Sequence, residues 1–299
     1  MLVGVLAGGF ACLAPSRAQD APAQAPAKAP DTQAPDTKPQ DAAKPQDSAS
    51  QAAPGDPKPA APADRPETAD LNGCEVPSYL LSTESSLARV TEAVKAHQRL
   101  DILVVGSASS ALAGPDGVSA SYPARLEAAL REKLPGIAVN VSTALQLKKT
   151  AADVAEGLEQ LAKDRKPTLV VWQTGTVDAV RSVDTDDFRS ALDDGLTALQ
   201  GTGTDVLLIN LQYSPRMETM ITVAPYLDNM RVSAEEHNAP LFDRFAMMRY
   251  WNENGHFDLS NPAHDFALAK RVHDCLGQAL AAFVIDGARV NTAELRIQR

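Results

Sequence analysis

The sequence predicts an α/β domain of three layers, with a central parallel sheet of about five strands between helices. Three observations carry that prediction. Short, β-branched, continuous apolar runs recur along residues 101–243, and amphipathic segments of helical period separate them. Runs without polar alternation suit strands covered on both faces, as in a parallel sheet. The third is length: 299 residues suffice for one domain of this kind behind a long leader region.

In chain order, an apolar run spans 2–14 and is followed by Pro15. It is shorter than the roughly 20 residues a bilayer span needs. It fits the apolar part of a secretory signal over 1–18, with Ser16, Arg17 and Ala18 at the cleavage region. No positive charge precedes it, so a start further upstream and an uncleaved anchor both stay open. Between Gln19 and Asp70 there is no Val, Ile, Leu, Met, Phe, Trp, Tyr or Cys, and eleven prolines lie between Pro22 and Pro66. Such a stretch cannot offset its ordering entropy, so 19–72 is expected to be a disordered, semi-stiff spacer of order 100 Å.

The expected domain covers 73–285, with a tail over 286–299. Strands are predicted at DILVVG (101–106), IAVNVS (137–142), TLVVWQ (168–173) and DVLLIN (205–210), with APLFD (239–243) a weaker fifth. YPARLEAALREKL, TAADVAEGLEQLAKD, DDFRSALDDGLTALQ and YLDNMRVSAEEH carry apolar residues at three- and four-residue spacing, as helices require. AHDFALAKRVHDCLGQALAAF (263–283) reads as a long last helix with Cys275 on its apolar face. Setting aside Cys12 in the leader, Cys74 and Cys275 form an even pair, expected as a disulfide in an exported protein. Closing so long a loop is worth roughly 4–5 kcal/mol in the chain-entropy picture.

The composition excludes some functions. With 28 Lys and Arg against 38 Asp and Glu, net charge is −10 and no basic stripe is present, so nucleic acid is not an expected partner. Membrane contact is expected only through an uncleaved leader. Aromatic content of 5% gives no stacking platform. No glycine-rich phosphate loop and no HExxH helix occurs, so no cofactor and no metal is expected. His256, Asp258 and His264 make the only metal grouping worth naming, and their spacing alone is weak evidence.

In a doubly wound sheet, ligands bind beyond the C-terminal strand ends. The residues there are GSASS (106–110), TALQLKK (143–149), TGTVD (174–178) and QYSPRM (212–217). With SYPARL (121–126), VVWQTGTVDA (170–179) and PLFDRFAMMRYW (240–251), these blocks resemble the SGNH/GDSL hydrolases, serine esterases with a flavodoxin-like sheet. The resemblance runs from Cys74 to Phe283. It implies a nucleophilic serine, a histidine base with its aspartate, and glycine and asparagine donors for the oxyanion.

Position by position, that machinery is altered. The nucleophile falls on Ala108, the oxyanion glycine on Lys148 and the oxyanion asparagine on Val177. Ungapped alignment of the last block puts the base at Leu259 and its aspartate at His256. A three-residue gap instead gives Asn261 for the aspartate and keeps His264 as base. Ser107 and Ser109 are the alternative nucleophiles, and His256 or His264 the alternative bases. The expectation is a catalytically degenerate domain binding an acyl or carbohydrate-type envelope ligand, or a partner, through the old cleft. Its rivals are an ester or O-acyl hydrolase with a relocated serine, and a purely structural envelope protein. Oligomeric state is open.

Overall fold

A computed structural model describes residues 67–114, 116–260 and 266–292. The predicted leader, most of the spacer, Asn261, His264 and residues 293–299 lie outside that range.

A two-stranded antiparallel ribbon opens the domain: β1 (Thr68–Asp70) pairs with β2 (Glu75–Pro77). The predicted spacer thus ends in ordered backbone at 68–72, because the ribbon's hydrogen bonds and the adjacent Cys74 hold it. Helix α1 (Ala88–Lys95) leads to β3 (Leu100–Gly106). A short α2 (Gly117–Ala120) and α3 (Tyr122–Lys133) follow, then β4 (Val139–Leu145), α4 (Ala151–Arg165) and β5 (Leu169–Gln173). The chain continues through α5 (Thr176–Arg181), α6 (Thr185–Gly201), β6 (Asp205–Ile209), α7 (Pro215–Met220) and α8 (Ala224–Glu236). It closes with β7 (Leu241–Phe242), α9 (Arg244–Glu253) and α10 (Phe266–Gly287).

The five strands β3 to β7 form one parallel sheet in the order β4-β3-β5-β6-β7. This is the flavodoxin-like order, and it confirms the predicted α/β class. All five residues of β5 are buried, as its unbroken apolar run requires. At the edge, β4 alternates in exposure and sits two to three residues later than predicted, where its pairing with β3 aligns Leu100 with Val139. Helices α4, α6 and α8 pack in succession, and α3 packs on α10. That last contact is close. A Cβ at Gly277 would lie 2.4 Å from the Arg125 Cβ, so only glycine fits.

Local signals set the helix starts. Thr150 and Asp153 form a capping box on α4, and the Asp184 carboxylate accepts two N–H bonds at α6. The expected disulfide between Cys74 and Cys275 is present, Cα to Cα 5.5 Å, tying the ribbon to α10. Helix α10 extends past 285, with Ala288 and Val290 packed on the core, so the start of the predicted tail belongs to the domain.

Candidate functional site

The strand order reverses between β3 and β5, and the crevice beyond their C-terminal ends is the expected ligand position. Residue Gly106 ends β3 there, and a single 3₁₀ turn over Ala108–Ser110 follows. A Cβ at 106 would fall 1.9 Å from the Ser110 Oγ, so glycine is what lets this turn fold back over the strand.

The turn is held by Gln173, the last residue of β5. Its Nε2 donates to Ser107 Oγ and to Ser109 Oγ, both at 2.9 Å. Its Oε1 accepts from the Ser110 hydroxyl at 2.7 Å and the Tyr122 hydroxyl at 2.9 Å. Both amide donors and both acceptor lone pairs are therefore used. Ser107 and Ser109 lie 3.3 Å apart, and Arg244 Nη1 donates to Ser109 Oγ at 3.2 Å. Burial pushes the Tyr122 phenol above its ordinary value, so it stays protonated and donates.

Among the described residues, none of these oxygens meets a base. Ala108 presents an exposed methyl at the predicted nucleophile position. Ser110 is buried, its proton committed to Gln173. Among the described residues, no serine oxygen is hydrogen-bonded to an imidazole. The His256 ring stacks on Tyr250, centroids 5.8 Å apart, at the end of α9. Leu259 N–H bonds the Asn252 side chain, and its own side chain lines a cavity described below. The other alternative base, His264, lies outside the described residues, as does Asn261.

Lys148 and Val177, the positions that the resemblance assigns to the oxyanion donors, differ in exposure, the first exposed and the second half-buried. Lys148 is exposed with φ 59°, so the backbone keeps a left-handed conformation suited to glycine while carrying a lysine. Val177 is in the first turn of α5 and lines a small space with Ser107, Gln173 and Gly175. That space is about 10 Å³, scarcely enough for one water. Buried Asp178 is structural: its Oδ1 accepts the Ala151 N–H at the start of α4, and desolvation pushes its pKa up.

The sequence left three participants unassigned. Arg244 opens α9, whose start is fixed by two side chains: Asn210 Oδ1 accepts the Phe245 N–H, and Asp243 accepts from Ala246 N–H. Its guanidinium is 2% exposed and makes no ion pair with a described residue. Desolvation brings its pKa down to about 10, which still leaves it charged at neutral pH. His273, on α10, accepts the Tyr122 N–H at Nδ1, 3.0 Å away. Burial, and then the Arg244 charge, lower its pKa to about 4. The neutral ring therefore carries its proton on Nε2. Gln173 and Arg244 lie in blocks that carry the resemblance, VVWQTGTVDA and PLFDRFAMMRYW, without a role implied for either; His273 reads as an ordinary residue of the last helix.

A second, larger cavity of about 250 Å³ opens beside this network, lined by Tyr213, Met248, Leu259, Val272 and His273 among others. Among the described residues no group of three His, Cys, Asp or Glu side chains could hold a metal, and no helix is long and apolar enough to cross a membrane.

Residues 73–290 match the model of the non-GDSL lipase-like family. No curated protein matches the chain. Solved structures that it resembles include an acetyl xylan esterase, AlAXEase, at 15% identity and TM-score 0.52, covering 60% of this chain and 98% of that one. A variant of Axe2, an acetyl-xylooligosaccharide esterase from Geobacillus Stearmophilus, is 16% identical with TM-score 0.51, covering 64% and 95%. A two-domain esterase active on acetylated mannans is 14% identical with TM-score 0.55, covering 69% of this chain and 55% of that one. At these identities the likeness is one of fold.

Proposed function

Because the chain belongs to the non-GDSL lipase-like family over residues 73–290, and so to the SGNH/GDSL-like hydrolase lineage, we propose that it is an exported, catalytically degenerate member that binds a ligand or partner in the cell envelope. One observation carries the reading. Residue 108 bears a methyl group, the flanking hydroxyls of Ser107 and Ser109 accept hydrogen bonds from Gln173, and no imidazole among the described residues is hydrogen-bonded to either.

Acyl transfer needs a nucleophile, a base and oxyanion donors acting as one unit. Losing one triad serine or histidine costs about 10⁶-fold in rate. An oxyanion donor replaced by a valine side chain costs roughly 3–4 kcal/mol more. Relocating the nucleophile by one residue does not repair this, since a misplacement near 1 Å already costs about a hundredfold. Export is supported by the apolar run over 2–14 and by the Cys74–Cys275 bond, which persists in oxidising compartments.

The space directly at Ser107 and Val177 holds about one water, so ligand binding is assigned to the neighbouring cavity of about 250 Å³. The test is covalent labelling of the purified full chain by a serine-reactive fluorophosphonate, with hydrolysis of short-chain nitrophenyl esters measured alongside. We expect no labelled serine and hydrolysis at the buffer rate. Stoichiometric labelling of Ser107 or Ser109, lost on substitution by alanine, would establish the relocated-serine hydrolase instead.

A further inference from the structure

The Arg244 guanidinium has an unusual environment for a chain with 38 acidic residues: no described carboxylate pairs with it. Nη1 reaches Ser109 Oγ, while Nε and Nη2 are buried without a hydrogen-bond partner among the described residues. A buried cation left uncompensated is destabilising, and its field is poorly screened.

Arg244 does not itself line the larger cavity, but two residues related to it do. Met248, one helical turn beyond Arg244 on the same face of α9, lines it. His273 lines it from α10, close enough to Arg244 for the guanidinium to lower its basicity. With Nδ1 taken by the Tyr122 N–H, the ring nitrogen left to the cavity is Nε2, a neutral donor. Leu259, Leu268 and Val272 supply apolar wall, and Arg216 adds an exposed second cation. Among the described lining residues Asp258 is the one carboxylate, and it accepts the Ser260 N–H.

We infer that this cavity binds a small amphipathic carboxylate, its head at the His273 end near Arg244 and its apolar chain against Leu259, Leu268 and Val272. The inference rests on the ligand-binding reading above and names the ligand class. Positive potential and an N–H donor at one end select an anion, and the apolar walls select a chain behind it. The cavity's size lies below the roughly 300–1,000 Å³ usual for small-molecule sites, which favours a short chain.

The experiment is calorimetric titration of the oxidised full chain with sodium octanoate, 1-octanol and monooctyl phosphate. We expect one octanoate per chain, bound at least tenfold more tightly than octanol and than the phosphate. Leu268→Trp, which fills the cavity and leaves the charge in place, abolishes binding of all three. Arg244→Met removes the charge and brings octanoate down to the level of octanol. Thermal melts verify that both variants are folded, and the octanoate-to-octanol ratio of the unsubstituted chain decides the matter if either is not. Equal affinity for octanoate and octanol, tighter binding of the phosphate, unchanged binding in L268W, or no saturable binding would each overturn the assignment. Fluorophosphonate labelling of the same sample separates the two readings. A labelled serine removes the degenerate reading and leaves the octanoate result standing. An unlabelled chain that ignores octanoate removes only the ligand class.

Discussion

Two polar regions lie side by side at the mouth of the sheet and differ in how their hydrogen bonds close. At the turn over Ala108, one glutamine uses its whole bonding capacity on four hydroxyls, leaving about 10 Å³ of space. Beside it, Arg244 keeps two nitrogens unpartnered and His273 keeps a ring nitrogen toward a cavity of about 250 Å³. The satisfied region resists change and offers nothing to a ligand. The unsatisfied one carries a stability cost that binding can offset. Among the described residues, the turn spends its polar capacity within the protein, and the Arg244 guanidinium keeps part of its own in reserve.

The difference predicts unequal responses to substitution, and the largest belongs to the turn. Gln173→Leu removes four hydrogen bonds at once and leaves the buried Ser110 and Tyr122 hydroxyls only each other, 3.1 Å apart, as partners. Unpaired buried polar groups cost about 1–3 kcal/mol each, so we expect roughly 3–5 kcal/mol of lost stability, read as a lower midpoint in urea unfolding. A loss under about 1 kcal/mol would mean that the turn does not depend on this network.

The next effect belongs to the cavity and shows in pH. Burial and the neighbouring guanidinium lower the His273 pKa to about 4 from an ordinary 6.5. Between those values the unfolded chain binds the proton and the folded chain does not, so stability rises with pH across the window and is lost as pH falls toward 4. The full effect is roughly 3 kcal/mol. Asp178 and Asp205 have pKa values raised by desolvation and bias the profile oppositely, so the comparison is between the unsubstituted chain and His273→Gln. The variant's glutamine oxygen can still accept the Tyr122 N–H. We expect the difference in stability between the two chains to change by a few kcal/mol between pH 4 and 6.5, and a flat difference would place the ring in water.

Legibility in the sequence divides along the same line. Strands such as TLVVWQ declare themselves by unbroken apolar runs, because a parallel sheet buries both faces, and the Cys74–Cys275 pair declares itself by parity. The resemblance gives Ala108, Lys148 and Val177 as altered positions through the ordered blocks around them. The roles of Arg244 and His273 are not. Arg244 falls in the PLFDRFAMMRYW block with no role implied for it, His273 falls in the last helix, and the influence of the guanidinium on the ring arises only once the chain has folded. Leu259 is a middle case: one of the two registers of the resemblance puts the base position there, and in the structure it is part of the cavity wall.

The smallest effect tests whether the turn region still carries a trace of its old backbone demands. Lys148 holds φ 59° on an exposed loop and makes no ion pair with a described residue. A left-handed conformation costs a residue with a Cβ about 1–2 kcal/mol, whereas glycine adopts it freely. Glycine also widens the unfolded ensemble, which returns part of that gain. Lys148→Gly is therefore expected to raise stability by about 0.5–1 kcal/mol, measured as a higher urea midpoint with an unchanged slope. It supplies no hydroxyl and no base, so ester hydrolysis stays at the buffer rate. A variant that gained stability and also hydrolysed esters would show that the lysine side chain had been blocking a working site, and the division between a sealed turn and an open cavity would fall with it.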